Sequence, residues 1–117
     1  MSFDPTPSAA QGPTAQVFFD RRELDLILNV YGRMVAAGEW RDYGIDGGRE
    51  AASFSVFRRA SEAPIYRIEK RPALRNRQGQ YAVIGHGGVI VKRGHELHQV
   101  LRVFASKRFR VVDNGLR

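Results

Sequence analysis

Four short runs rich in β-branched and aromatic residues constrain the fold of this chain most strongly; they lie at 54–59, 65–71, 80–84 and 89–93. Apolar and polar residues roughly alternate in each run, which is typical of strands with one buried and one solvated face. The alternation predicts a buried set of Phe54, Val56, Tyr66, Ile68, Tyr81, Val83, Val89 and Val91. The connections are rich in turn-forming residues and too short for a crossover helix, so the pairing is predicted to be antiparallel.

A helix is predicted before these strands. Asp20 and Glu23 have the spacing of a capping box, in which the side chain of each accepts a hydrogen bond from the backbone amide of the other. Apolar residues follow at helical spacing and predict a buried stripe of Leu24, Ile27, Leu28, Tyr31, Met34 and Val35. Gly32 within the helix indicates close packing at that position, and Gly38 is expected to end the helix in a left-handed conformation.

The remaining elements complete an α+β pattern. Short strands are predicted from residue 16 and at 41–45, and Trp40 is expected to clamp the end of the helix onto the sheet. A second helix is predicted at 95–104 and a last strand at 109–112. The expected fold class is therefore α+β, with an antiparallel sheet of about five strands and two helices packed on one face.

The length of 117 residues suits one domain with its own core. Residues 1–15, rich in Pro, Ser, Ala and Thr, are predicted to form a disordered tail, and 16–117 a single domain. The chain contains no cysteine, which excludes disulfides, thiolate metal sites and cysteine nucleophiles. No apolar run approaches the ~20 residues of a membrane span and the first residues lack a hydrophobic signal core, so we expect a cytoplasmic protein without membrane contact.

The net charge of +7 is unevenly distributed. Residues 1–57 carry five Arg against eight acidic residues, a balance of −3. Residues 58–110 carry thirteen Lys or Arg against three Glu, a balance of +10. The predicted sheet and second helix therefore hold the excess, and such a field attracts polyanions.

Eight basic residues are the candidate anion-binding or nucleic-acid-binding site: Arg58, Arg59, Lys70, Arg71, Arg75, Arg77, Lys92 and Arg93. Lys92 and Arg93 precede Gly94 at the predicted entry to the second helix, where free backbone amides and the helix dipole favour an anion. Phe57 and Tyr66 are candidates for base stacking beside this basic belt. The alternative is a solvated basic face that discourages edge-to-edge association of sheets.

Two further groups of polar residues have alternative interpretations. His86, His95 and His98 are either metal ligands or solvated surface histidines, and Arg102 one turn beyond His98 favours the second interpretation because it repels a cation. Glu39 with Asp42, or either of them with Arg41, beside Trp40, is either an acid and base pair or a solvated edge or ion pair. No metal and no cofactor are predicted.

Four segments, at 19–24, 31–43, 54–59 and 92–97, together resemble a family of small proteobacterial proteins catalogued only as a domain of unknown function. Their sequences are FDRREL, YGRMVAAGEWRDY, FSVFRR and KRGHEL. The resemblance extends over about 17–112. It implies no activity, substrate or partner for any residue.

Three classes of function remain open. The expected one is a non-catalytic protein-interaction or regulatory module with a basic, polyanion-attracting face, whose partner is another protein or a second copy that brings its acidic half against the basic half. The alternative is a protein that binds RNA or single-stranded nucleic acid. A further alternative is an enzyme with its site near Glu39 and Asp42.

Overall fold

The structure is a computed structural model that describes residues 16–59 and 63–105. The predicted tail at 1–15 and the predicted strand at 109–112 lie outside these residues. In chain order the elements are helix α1 (Arg21–Ala36), strands β1 (Asp42–Asp46), β2 (Ala52–Phe57), β3 (Tyr66–Lys70), β4 (Tyr81–Gly85) and β5 (Ile90–Gly94), and helix α2 at 97–105.

The five strands form one sheet in the order of the sequence, and every neighbouring pair is antiparallel. The register aligns Phe54 with Ile68 and Ile68 with Val83, which places these three residues in one row on one face. Both helices pack on that face, where the buried residues of α1 and α2 join those of the sheet in a single core. The predicted α+β fold with an antiparallel sheet is therefore confirmed.

The start and end of α1 follow the predicted signals. The amide of Glu23 donates to Asp20 Oδ1 at 2.8 Å, and the amide of Asp20 donates to Glu23 Oε1 at 2.7 Å, which completes the capping box. The helix ends at Ala36, and Gly38 has φ of +78°, the left-handed conformation in which glycine is favoured. Before α1, Val17 forms a single bridge to Gly48 instead of the predicted strand.

The buried stripe of α1 differs from the predicted one. Leu28 and Val35 are exposed, whereas Glu23 and Val30 are buried with Ile27. The apolar stripe in the sequence is wider than the surface that the sheet and α2 cover, so its margins remain in solvent. Glu23 is buried because charged and hydroxyl groups on the sheet bind its carboxylate.

Gly32 does not mark a close contact, so that prediction is wrong. A Cβ atom built at Gly32 meets nothing within 4 Å, and its backbone does not have a positive φ. Replacing Gly32 by alanine is expected to raise the free energy of unfolding by about 1 kcal/mol, because alanine loses less backbone entropy than glycine in a helix. Urea denaturation of the two proteins measures this difference, and a destabilised variant would contradict the open environment of residue 32.

β5 departs from the predicted pattern because the alternation breaks at its start. Val89 is 64% exposed and Val91 38% exposed, although both were predicted to be buried. The register shifts between Val83 and Ile84, so that Ile84 aligns with Ile90 and Val83 aligns with Lys92. Val91 is then left without an aligned residue on β4, and Val89 lies in the turn before the strand.

Trp40 connects α1, the sheet and α2. Its side chain is buried, and its ring centroid lies 4.9 Å from that of Phe104 and 6.4 Å from that of Tyr66. The predicted clamp on the helix end is therefore confirmed, and it extends to α2.

Gly94 does not open α2 as predicted, because it pairs with Tyr81 as the last residue of β5. No helix of the described segments is long and apolar enough to cross a membrane.

Candidate functional site

The sheet face opposite the helices carries a cluster of charged side chains. Ile68 points into the core, so its neighbours Arg67 and Glu69 lie on the other face of β3. Ala82 aligns with both Glu69 and Arg93, which brings Arg93 of β5 to that same face. The alternation of three strands thus places arginines on both sides of Glu69.

Glu69 is the centre of this arrangement, because its side chain is only 8% exposed and three guanidinium groups surround it. The Nη2 atom of Arg71 lies 3.3 Å from Oε2 of Glu69, and the Nη2 atom of Arg67 lies 3.8 Å from the same oxygen. Nη2 of Arg93 lies 3.8 Å from Oε1. We name Arg67, Arg71 and Arg93 around Glu69 the arginine cluster.

Arg71 is held more firmly than a surface arginine. Its Nε also donates to Glu69 Oε1 at 3.4 Å, and its Nη1 lies 3.3 Å from Oε1 of the exposed Glu50. The hydrogen bond to Glu69 raises the pKa of the Arg71 guanidinium above its ordinary value, so Arg71 is charged at physiological pH.

The buried carboxylate fixes the cluster without neutralising it. Burying the charge of Glu69 costs free energy unless nearby cations and hydrogen-bond donors compensate for the lost hydration. This cost favours conformations in which the arginines stay near Glu69. The side chains of Arg67 and Arg71 nevertheless remain 40% and 33% exposed, and each guanidinium has five N–H donors. N–H donors that Glu69 does not use are therefore accessible from solvent, and guanidinium donors of this kind pair well with carboxylate or phosphate.

The turn between β3 and β4 continues this basic surface. It begins where the amide of Arg71 donates to the carbonyl of Gln80 at 2.6 Å, and it exposes Arg75 and Arg77. Nη1 of Arg93 donates to the carbonyl of Gly79 at 3.1 Å and so links the turn to the arginine cluster. Arg71, Arg75, Arg77 and Arg93, four of the predicted residues, thus lie at one end of the sheet.

Three other predicted residues lie elsewhere. Arg58 follows β2 at the opposite end of the sheet, where its Nη2 is 3.7 Å from Oε1 of Glu39, and Arg59 follows it. Lys92 is exposed on β5. It aligns with Val83, so it lies on the face of the sheet that the helices cover. The eight predicted residues therefore do not share one face.

Lys70 has a structural environment. It lies on the helix-covered face, where its Nζ donates to Glu23 Oε1 at 2.8 Å and to the carbonyl of Phe18 at 2.9 Å. Tyr81 donates its hydroxyl proton to the other oxygen of Glu23. Burial raises the pKa of Tyr81 above its ordinary value, and the bond to Glu23 adds to this rise. These bonds attach the first turn of α1 to β3 and β4.

The other polar candidates do not converge. His95 and His98 line a shallow cleft of about 140 Å³ beside Glu23, whereas His86 lies in the turn between β4 and β5. Within residues 16–59 and 63–105, no three His, Asp or Glu side chains lie close enough together to hold a metal ion. Glu39 faces Arg58, and Asp42 lies on the edge strand β1.

Arg67 was not among the predicted residues. Its signal is present in the sequence, because strand alternation places residues 67, 69 and 71 on one face, in the sequence Arg-Glu-Arg. Tyr66, predicted as a stacking residue, lies instead on the helix-covered face, with its ring centroid 5.1 Å from that of Phe104.

Comparison with known proteins identifies a family. A family model described as "Protein of unknown function (DUF2794)" matches residues 17–101. No curated protein and no solved structure matches the chain. The match confirms the predicted resemblance to a family of unknown function, and its description names no activity, ligand or functional residue.

Proposed function

The chain belongs to DUF2794, a family of proteins of unknown function, and we propose that it is a non-catalytic binding protein whose basic surface contacts an acidic partner protein. The contact surface consists of the arginine cluster with Arg75 and Arg77 of the adjacent turn. The observation that carries the proposal is the convergence of three guanidinium groups on the buried carboxylate of Glu69.

Fixed arginines support binding better than mobile ones. An exposed arginine loses side-chain entropy when a ligand orders it, and this loss subtracts from the affinity. Glu69 has already ordered Arg71 in the free protein through two hydrogen bonds, so an acidic group binds Arg71 at a smaller entropic cost. Glu50 is 83% exposed and is the partner of Arg71 that a stronger anion displaces most easily.

The surface also has an excess of positive charge over the groups that pair with it. Five arginines, Arg67, Arg71, Arg75, Arg77 and Arg93, outnumber the two carboxylates that pair with this surface, Glu50 and Glu69. Planar guanidinium groups bind carboxylates through paired hydrogen bonds, which favours an aspartate- or glutamate-rich segment of a protein as the partner.

RNA is the second candidate partner, and one observation favours it. Phe57 is half-buried, and strand alternation places it on the same face of the sheet as Arg67, whose aligned residue is Ser55. An aromatic ring beside arginines allows a base to stack while its phosphate pairs with a guanidinium.

The test compares charge reversal at the site with the same charge change elsewhere. The probes are fluorescently labelled poly-L-glutamate, a mixed-sequence RNA and the equivalent single-stranded DNA, followed by anisotropy at low and at physiological salt. The double variant Arg75→Glu/Arg77→Glu is expected to weaken binding about tenfold or more, because each exposed ion pair contributes up to about 1 kcal/mol. The matched control, Arg21→Glu/Arg22→Glu on α1, is expected to change binding less than about twofold.

The outcomes separate the candidates. Preferential binding of poly-L-glutamate at physiological salt supports the acidic protein partner, and preference for RNA over DNA supports the second candidate. In the RNA case, the site variant is expected to reduce the slope of log K against log salt by about 1.4, since each contact with a single-strand phosphate contributes about 0.7. Equal weakening by the two double variants would contradict a site and indicate attraction by net charge alone.

A further inference from the structure

A cleft opens at the end of the sheet opposite the arginine cluster. It has a volume of about 470 Å³ and lies between the end of α1, the start of β3 and the turn that connects β4 to β5. Tyr66 contributes aromatic surface and Val91 aliphatic surface, and the buried Trp40 lies in the wall of the cleft. The volume is within the range of about 300–1,000 Å³ that is typical of small-molecule sites.

Backbone features specific to this sequence form the cleft. Gly87 and Gly88 both have positive φ, which allows the turn after β4 to fold tightly beside the opening. The register shift at Val83 and Ile84 separates Val91 from the regular pairing, and a Cβ atom at Gly85 would lie 3.2 Å from Cγ2 of Val91. Because Gly85 has no Cβ atom, there is space between it and Val91 that any larger residue at position 85 would fill.

The apolar surface in the cleft includes side chains that solvent reaches. Val89 and Val91, both at the cleft, are among the exposed large hydrophobic residues of the protein. Covering such surface by an apolar ligand is favourable because it removes apolar area from water. The cleft thus supplies hydrophobic free energy for binding, with aromatic rings that favour a flat or ring-containing ligand.

A cation and a titratable ring lie among these apolar residues. Arg58 and Glu39 both line the cleft, with Nη2 of Arg58 3.7 Å from Oε1 of Glu39, beyond the range of a good hydrogen bond. The side chain of Arg58 is 59% exposed and that of Glu39 only 23%, so the guanidinium is the more accessible of the two charges. His86, from the turn after β4, also lines the cleft and supplies a further N–H group.

We propose that this cleft binds a small organic carboxylate with an aromatic or branched apolar body. The body contacts Tyr66 and Val91 next to the buried Trp40, and the carboxylate accepts hydrogen bonds from Arg58. The proposal is independent of the proposed function, because the cleft and the arginine cluster lie at opposite ends of the sheet and use different residues. Failure of either test leaves the other unaffected.

The protein contains a single tryptophan, so its fluorescence reports directly on this cleft. The full chain is titrated with 4-phenylbutyrate and, separately, with the neutral 4-phenylbutanamide, while the emission of Trp40 is recorded. A saturable change is expected with both. The carboxylate is expected to bind about tenfold more tightly than the amide, because one charge-assisted hydrogen bond contributes about that much affinity.

Three variants locate the site. Arg58→Gln is expected to remove the preference for the carboxylate, so that both compounds bind with the affinity of the amide. Val91→Phe places a larger side chain in the cleft, at a position that is already exposed, and is expected to weaken both compounds about tenfold. Arg21→Gln, a matched loss of charge on α1, is expected to leave both affinities unchanged.

Several results would overturn the proposal. They are the absence of a saturable emission change, equal affinity of the carboxylate and the amide for the unmodified protein, or a carboxylate preference that persists in Arg58→Gln. Unchanged binding by a Val91→Phe variant with the circular dichroism spectrum of the unmodified protein would equally exclude this cleft as the site.

Discussion

Replacing Trp40 by alanine is expected to lower the free energy of unfolding by about 4 kcal/mol, as for other fully buried aromatic residues. The indole ring is buried, and its centroid lies 6.2 Å from that of Tyr31 on α1 and 4.9 Å from that of Phe104 on α2. Truncation leaves a void where both helices meet β3. Urea denaturation followed by far-ultraviolet circular dichroism measures the change, because the variant has no tryptophan fluorescence.

Phe18→Ala is the matched control for this prediction. Phe18 is also aromatic, but its side chain is 60% exposed. Its truncation is expected to cost less than about 1 kcal/mol, because solvent already surrounds most of the ring. Equal losses in the two variants would show that Trp40 does not connect the helices to the sheet.

The sheet is predictable from the sequence because its pairing is local. Turn-forming residues separate adjacent strands, and a period of two with one buried face fixes the register of 54–84, where a shift by one residue would expose Phe54 and Ile68. Val89 and Val91 were mispredicted because the register shift at Val83 and Ile84 depends on how the two strands meet. Periodicity within one strand contains no information about such a shift.

The candidate site is only partly predictable, since charge does not reveal which face a side chain occupies. Lys70 and Arg71 are adjacent in the sequence and were predicted for the same role, yet they lie on opposite faces of the sheet. Lys70 pairs with Glu23, which is 47 residues away in the chain, and such a partner becomes visible only in the folded structure. The pairing of Arg67 and Arg71 with Glu69 is local, and strand alternation alone places these three residues together.

Replacing Lys70 by alanine is expected to lower the free energy of unfolding by about 3 kcal/mol, because it leaves the buried carboxylate of Glu23 without its cation. The side chains of Lys70 and Glu23 are 16% and 9% exposed, so water compensates little of the loss. Polyanion affinity is expected to change less than about twofold, since Lys70 lies on the face away from the arginine cluster. Denaturation and anisotropy measurements on the same preparation test both statements.

Arg77→Ala is the reciprocal control, because Arg77 is exposed on the turn next to the arginine cluster. This variant is expected to weaken polyanion binding while changing the free energy of unfolding by less than about 0.5 kcal/mol. The double variant Lys70→Met/Glu23→Gln removes both charges and is expected to recover most of the stability lost in Lys70→Ala, because no uncompensated buried charge remains. A Lys70→Ala variant that is fully stable but binds polyanions poorly would reverse the assignment and return Lys70 to the binding surface.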